Sequence, residues 1–307
     1  MEKNQEKMDL SVPRIGKILL AGGHVASFSA GPDGLLYVLV CTGEPDQNWV
    51  KRNRSCDWRV VAFHPDGRSS EILIQNQKDN FNLVQPLNDG ILLGTRRCKF
   101  AGEATEANGY SFDNRGQLVG RLLLGDGVAD LQTTTSDEIW VSYSDEGIYG
   151  NLGWGKPIGK AGLLRFNLEG NICFRFKGVV GLGPIDDCYC LNVANESEAW
   201  CCYYSDFSLV KICDDRIAHH WDSPVKGSSG LAVWGNNLAM QDTYEGDDWR
   251  LLSVTGSDVV AEEEAITFRT PEGLPLAAKS AKARGSAIWF VAGADIYRFD
   301  LKSYLSR

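Results

Sequence analysis

The residues best suited to chemistry are carboxylates that stand just beyond short apolar runs: Glu44, Asp145, Glu146, Asp206, Asp242 and Asp295. If those runs are strands arranged around one axis, several of these groups converge on a single opening. Clustered carboxylate oxygens are hard ligands, suited to calcium at about 2.3–2.6 Å. A cation held there would assist hydrolysis. Two readings stay open. One is an axial funnel holding calcium or another divalent cation, in a metal-dependent hydrolase, lactonase or lyase. The other is a solvated polar rim with no cofactor and no catalytic residue.

Other catalytic constellations are poorly represented. No Gly-x-Ser-x-Gly elbow occurs, and the histidines are only His24, His64, His219 and His220. Strand alternation sends His219 and His220 to opposite faces. His24 alone stands where a central base would be needed. Gly181-Leu182-Gly183-Pro184 lacks the spacing and the following helix of a dinucleotide site. The nine cysteines are an odd number without a CxxC pair. Cys188-Tyr189-Cys190 and Cys201-Cys202 lie in apolar strand-like stretches, so free, mostly buried thiols are expected rather than a zinc site or a disulfide framework.

Charge and hydropathy narrow the partners. Lys and Arg total 31 against 40 Asp and Glu, a formal net charge of -9. That balance opposes a nucleic-acid partner. The segment Met1 to Asp9 has no apolar core, so no secretory signal is expected. No run of about 18 apolar residues exists to span a membrane. The expected location is the cytoplasm, in keeping with unpaired cysteines.

The elements that position these residues repeat. A turn signal precedes a short apolar strand at Leu35, Ile91, Ile139, Ala199, Leu238 and Ala287. Trp140, Trp200 and Trp289 fall at equivalent places in it and are expected to be scaffold. Each such strand is followed by an alternating strand that runs into a tight turn, as at Arg59–Phe63, Leu163–Phe166 and Ile296–Phe299. The period is roughly 40 to 60 residues, the range of propeller blades. With 33 Gly and 9 Trp against 3 Met, composition favours sheets with many turns. The expectation is all-β: a single six-bladed β-propeller of four-stranded antiparallel blades over residues 13–307, behind a flexible leader, 1–12. The sixth repeat lacks a last strand, and a spare strand begins at Arg14. The N-terminal strand is therefore expected to close the last blade and remove an exposed edge.

Four connections between second and third strands are long, roughly 42–57, 96–108, 144–161 and 242–248. Long loops on a rigid scaffold are where binding resides. They carry Trp49, Arg52, Arg96, Arg97, Asp145, Glu146, Tyr149, Trp154, Asp242, Tyr244, Asp248 and Trp249, and the fourth blade adds Asp206. Exposed Trp, Tyr and Arg are the composition of protein-binding hot spots. The loop-bearing face is thus expected to bind a protein partner. A sugar or small molecule stacked on Trp49, Trp154 and Trp249 is a further alternative.

Over nearly its whole length the repeat resembles the β-propeller superfamily, in the manner of NHL, YncE-like and WD40-like proteins. The Gly-His and Trp-Asp dipeptides of true WD40 blades do not recur. The stretch from Tyr143 to Gly155, followed by Gly162 to Asn167, is similar to uncharacterised bacterial propeller proteins. That resemblance implies the fold and brings no activity. The Glu-Gly-Pro opening of gluconolactonase-like propellers is missing. An acidic binder without catalytic motifs would suit an inhibitor, such as an immunity protein covering the cationic site of a toxin.

Overall fold

A computed structural model describes residues 7–43, 51–244, 248–256 and 259–307. Two strands come first, β1 (Lys7–Ser11) and β2 (Arg14–Lys17). Blade one is β3 (His24–Ala30), β4 (Leu36–Cys41), β5 (Lys51–Phe63) and β6 (Ser69–Asp79). Blade two is β7 (Leu83–Leu87), β8 (Gly90–Gly94), β9 (Gly109–Phe112) and β10 (Leu118–Leu122). Blade three is β11 (Val128–Thr133), β12 (Ile139–Tyr143), β13 (Leu163–Phe166) and β14 (Ile172–Arg175). Blade four is β15 (Asp187–Asn195), β16 (Glu198–Tyr204), β17 (Ser208–Cys213) and β18 (Arg216–Asp222). Blade five is β19 (Leu231–Trp234), β20 (Asn237–Gln241), β21 (Trp249–Thr255) and β22 (Val259–Arg269). Blade six is β23 (Ala281–Arg284), β24 (Ala287–Ala292) and β25 (Asp295–Asp300), and β2 completes it by pairing antiparallel with β25. The fold class is the six-bladed β-propeller.

Contacts gather the chain into two units. Ile18–Cys188 holds blades one to three; the rest of the described chain holds blades four to six. Short helices are the exception: α1 (Asp145–Tyr149) interrupts blade three, and α2 (Leu301–Leu305) follows β25. No described helix is long and apolar enough to cross a membrane.

The recurring tryptophans are built into a repeated three-part contact. Trp140, Trp200 and Trp289 are buried. Each faces a basic residue on the next strand: Arg165, Lys211 and Arg298. The cations lie 5.5, 5.0 and 5.4 Å from the ring centres, within cation–π reach. A carboxylate then pairs each cation, Glu138 at 3.2 Å, Glu198 at 2.9 Å and Asp300 at 2.7 Å. A hairpin turn of blade two is equally constrained. Gly116 has φ +75°, and a Cβ there would stand 2.0 Å from the Leu73 carbonyl oxygen, so only glycine fits the turn after β9.

Residues 7–11, expected within a flexible leader, instead form β1. This strand lies parallel to β22 as a fifth strand of blade five, with Lys7 opposite Ala265 and Ser11 opposite Arg269. Met8 and Leu10 alternate onto the core that contains Trp249, Phe268 and Phe290. Asp9 pairs with Arg269 at 2.7 Å, and Lys7 with Asp248 at 2.6 Å. Apolar alternation plus two end charges is enough to hold so short a strand on an existing edge.

Candidate functional site

Within Ile18–Cys188, the connection after β12 folds as α1 and one 3₁₀ turn, Ile158–Ala161. Its seat is Tyr143, fully buried, whose hydroxyl donates to the Leu124 carbonyl at 2.6 Å. The connection lies so close over this ring that a Cβ at Gly159 would stand 2.3 Å from it. Trp154 is only 7% exposed; its indole N–H donates to the Cys98 carbonyl at 2.7 Å and its ring lies 5.0 Å from Phe100. This bond ties the connection of blade three to that of blade two. Trp154 therefore braces the loops rather than facing a partner.

A charged network sits on this brace. The Asp126 side chain is fully buried and accepts two bonds from Arg97, at 2.9 and 3.1 Å, and one from the Cys98 backbone N–H at 2.8 Å. Arg97 also reaches Glu146 at 3.5 Å. Glu146 accepts from the Ser144 hydroxyl at 2.6 Å, and that bond is the first cause of its lowered pKa. Tyr149, 66% exposed, donates its hydroxyl to Asp186, which pushes its own pKa up. Asp187 is different. Burial, then the neighbouring charges of Asp145 and Glu146, raise its carboxyl from 3.8 to about 6. Here is an acidic group that the surroundings do not neutralise.

Within the other unit, an aromatic cluster forms from separate strands. Tyr189 comes from β15, Tyr204 ends β16, Phe207 lies in the following turn, and Tyr244 follows β20. Phe207 is the hub: its ring centre is 5.6 Å from Tyr204, 6.3 Å from Tyr189 and 6.0 Å from Tyr244. The Tyr189 and Tyr244 hydroxyls are 3.0 Å apart. Lys226 places its ammonium 5.9 Å from the Phe207 ring centre. Tyr204 and Tyr244 remain 45% and 61% exposed, and Asp206 beside them is exposed.

Several expected contact residues turn inward. Trp249 is 1% exposed and packs edge-on to Phe268 and Phe290, because β21 points it into the core of blade five. Arg52 is buried, 5.8 Å from the Trp58 ring centre. Arg96 is drawn in by neighbouring acceptors: its guanidinium donates to the Ala129 carbonyl, and its backbone N–H donates to the Asn82 side-chain Oδ1 at 2.9 Å. Burial pushes the Arg96 pKa down. Asp242 is buried and pairs with Arg250 at 3.3 Å; Asp248 accepts from Lys7 and, at 2.7 Å, from Thr267. Trp49 and Glu44 lie outside the described residues.

The carboxylates proposed for a funnel are mostly engaged by cations of their own unit: Glu146 by Arg97, Asp242 by Arg250, and Asp295 by Arg14 at 3.7 Å. Among the described residues, no group of three His, Cys, Asp or Glu side chains stands close enough to hold a metal ion. His219 stacks on Trp221 at 5.6 Å, as an outer-strand residue does. Tyr189, Phe207, Lys226, Asp126 and Asp187 were not among the expected site residues. In the sequence Tyr189 is marked only by its place between two cysteines, and Phe207 gains meaning only from the turn that aims it.

Comparison with known proteins adds the following. The model of the YxzG family matches residues 163–299. No curated protein matches the sequence. Among solved structures, a chain of the mitotic checkpoint complex matches with a TM-score of 0.50 and 8% identity, over 95% of this chain and 90% of that one. The shared feature is the propeller fold. A gluconolactonase from Xanthomonas campestris covers 97% of both chains at 13% identity, with a TM-score of 0.46.

Proposed function

We propose that this propeller is a non-catalytic binding protein whose loops between second and third strands engage a basic protein partner. The observation that carries the reading is the pair of exposed rings, Tyr204 and Tyr244, packed on the half-buried Phe207, with Asp206 beside them. Large amphipathic rings held by their neighbours lose little entropy on binding, and Tyr is enriched in hot spots. The net charge of -9 and the uncompensated Asp187 favour a cationic partner. An inhibitor or immunity protein that covers the cationic site of a toxin has this chemistry. The propeller in the mitotic checkpoint complex offers a precedent for the fold acting within an assembly. The test is affinity capture from the native host. One stoichiometric basic partner is expected, lost in the Tyr204→Ala/Tyr244→Ala double variant and weakened by salt. Capture that ignores both the variant and the salt would overturn the reading.

A second reading is small-molecule binding, favoured by one cavity. It measures about 440 Å³, and its lining includes Cys98, Lys99, Ala101, Ala104, Ala107 and Tyr110. That size lies in the range of ligand pockets. Filling it by Ala104→Trp would abolish ligand binding there and leave partner capture intact.

A further inference from the structure

The first blade carries two thiols that no role above uses. Cys41 ends β4, and Cys56 stands on β5 two residues before Trp58, the register partner of Cys41. Pairing of β5 with β6 shifts at Cys56, which opposes Gln77 while Trp58 opposes Ile74. This irregularity turns Cys56 toward β4. The two sulfurs are 3.3 Å apart, and both thiols are free. The neighbouring backbone is equally close: a Cβ built on Gly43 would lie 2.9 Å from the Cys56 Cβ. Other cysteines give their S–H to carbonyls instead, Cys98 to Glu106 and Cys173 to Asn171. Cys201 and Cys202 are adjacent on one strand and point to opposite faces.

We infer that Cys41 and Cys56 are a dithiol site that closes to an intramolecular disulfide by exchange with a low-molecular-weight disulfide such as oxidised glutathione. The sulfurs need approach by only about 1.2 Å to reach bonding distance. The exchange balances in two steps. One cysteine thiolate attacks the reagent's S–S bond, forms a mixed disulfide and expels one reagent thiolate. The other cysteine thiolate then attacks the protein sulfur of that mixed disulfide and expels the second reagent thiolate. The two protein S–H protons end on the two reagent thiols, and two electrons pass from protein to reagent. Cys41 is buried and Cys56 half-buried, which leaves Cys56 as the sulfur a reagent reaches first. Burial, then the Cys41 sulfur, push the Cys56 thiol up to about 12. Closure is therefore slow at neutral pH and speeds up about tenfold per pH unit. The bond would cross-link β4 to β5.

The test treats the whole chain with oxidised glutathione between pH 7 and 9, then maps peptides without reduction. The expected product is one linkage, Cys41 to Cys56, with a loss of about 2 Da. Cys41→Ser and Cys56→Ser should each fail to lose that mass, while Cys173→Ser behaves as the native chain. Linkage through any other pair, or full modification of Cys56 as a stable mixed disulfide with no closure, would overturn the proposal. The peptide map of the native chain decides the matter even if a serine variant fails to fold.

Discussion

The charged cluster around Arg97 and the aromatic cluster around Phe207 use their side chains in opposite ways. In the first, nearly every group is consumed internally: Asp126 holds Arg97, Arg97 holds Glu146, and Trp154 holds Cys98. In the second, rings hold one another and leave faces to solvent. The first is a brace with a residual negative charge, suited to steering a cationic partner. The second is an anchor, suited to adhesion once contact is made. Side chains that looked alike in sequence divide by whether their polar atoms are already satisfied.

Substitutions should separate the two roles. The largest effect belongs to Asp126→Ala, which leaves Arg97 without its buried partner and should cost about 3–5 kcal/mol of stability in denaturant unfolding. If it costs under about 1 kcal/mol, the brace is misassigned. Next is Tyr204→Ala/Tyr244→Ala. Calorimetry with the captured partner should show at least a ~30-fold weaker Kd, about 2 kcal/mol, with unfolding nearly unchanged. Equal loss in binding and stability would make these rings structural.

Asp187→Asn tests the residual charge. The fold raises this carboxyl from 3.8 to about 6, so folding favours its protonated form. Its contribution is therefore fully present below pH 3.8 and lost as pH rises through about 6. The native Tm should fall over that window relative to the Asn variant, which should be the more stable above pH 6.5. A parallel pair of Tm profiles would refute the shift. The smallest effect is expected from Glu146→Gln: association a few-fold slower at low salt, dissociation unchanged, the signature of a steering charge. A change confined to dissociation would move Glu146 into the contact itself.

Much of the scaffold was legible because it is local. Asp-Gly turns, strand alternation and the spaced Trp140, Trp200 and Trp289 are contained within one blade each. The strand β1 was not, since its partner β22 lies at the far end of the sequence and a parallel pairing leaves no turn between them. The candidate site was legible only in outline. Loop length pointed to the connection that carries Tyr244 but not to the short turn that carries Phe207, and Trp154 and Trp249 differ from exposed tryptophans only by what surrounds them. Asp187 carries no sequence mark, because its shifted carboxyl comes from Asp145 and Glu146, brought near by folding.

The attachment of β1 to blade five and of β2 to blade six has a kinetic consequence. These two segments are synthesised well before their partners β22 and β25. Pairing across so long a span makes their docking a late step, limited by loop closure rather than by local propensity. Until it happens, a nascent or partly opened chain offers two vacant sheet edges and two unattached strands that fit them. At high concentration the strands of one molecule can fill the edges of another, so exchange between copies is the misassembly this design must outrun.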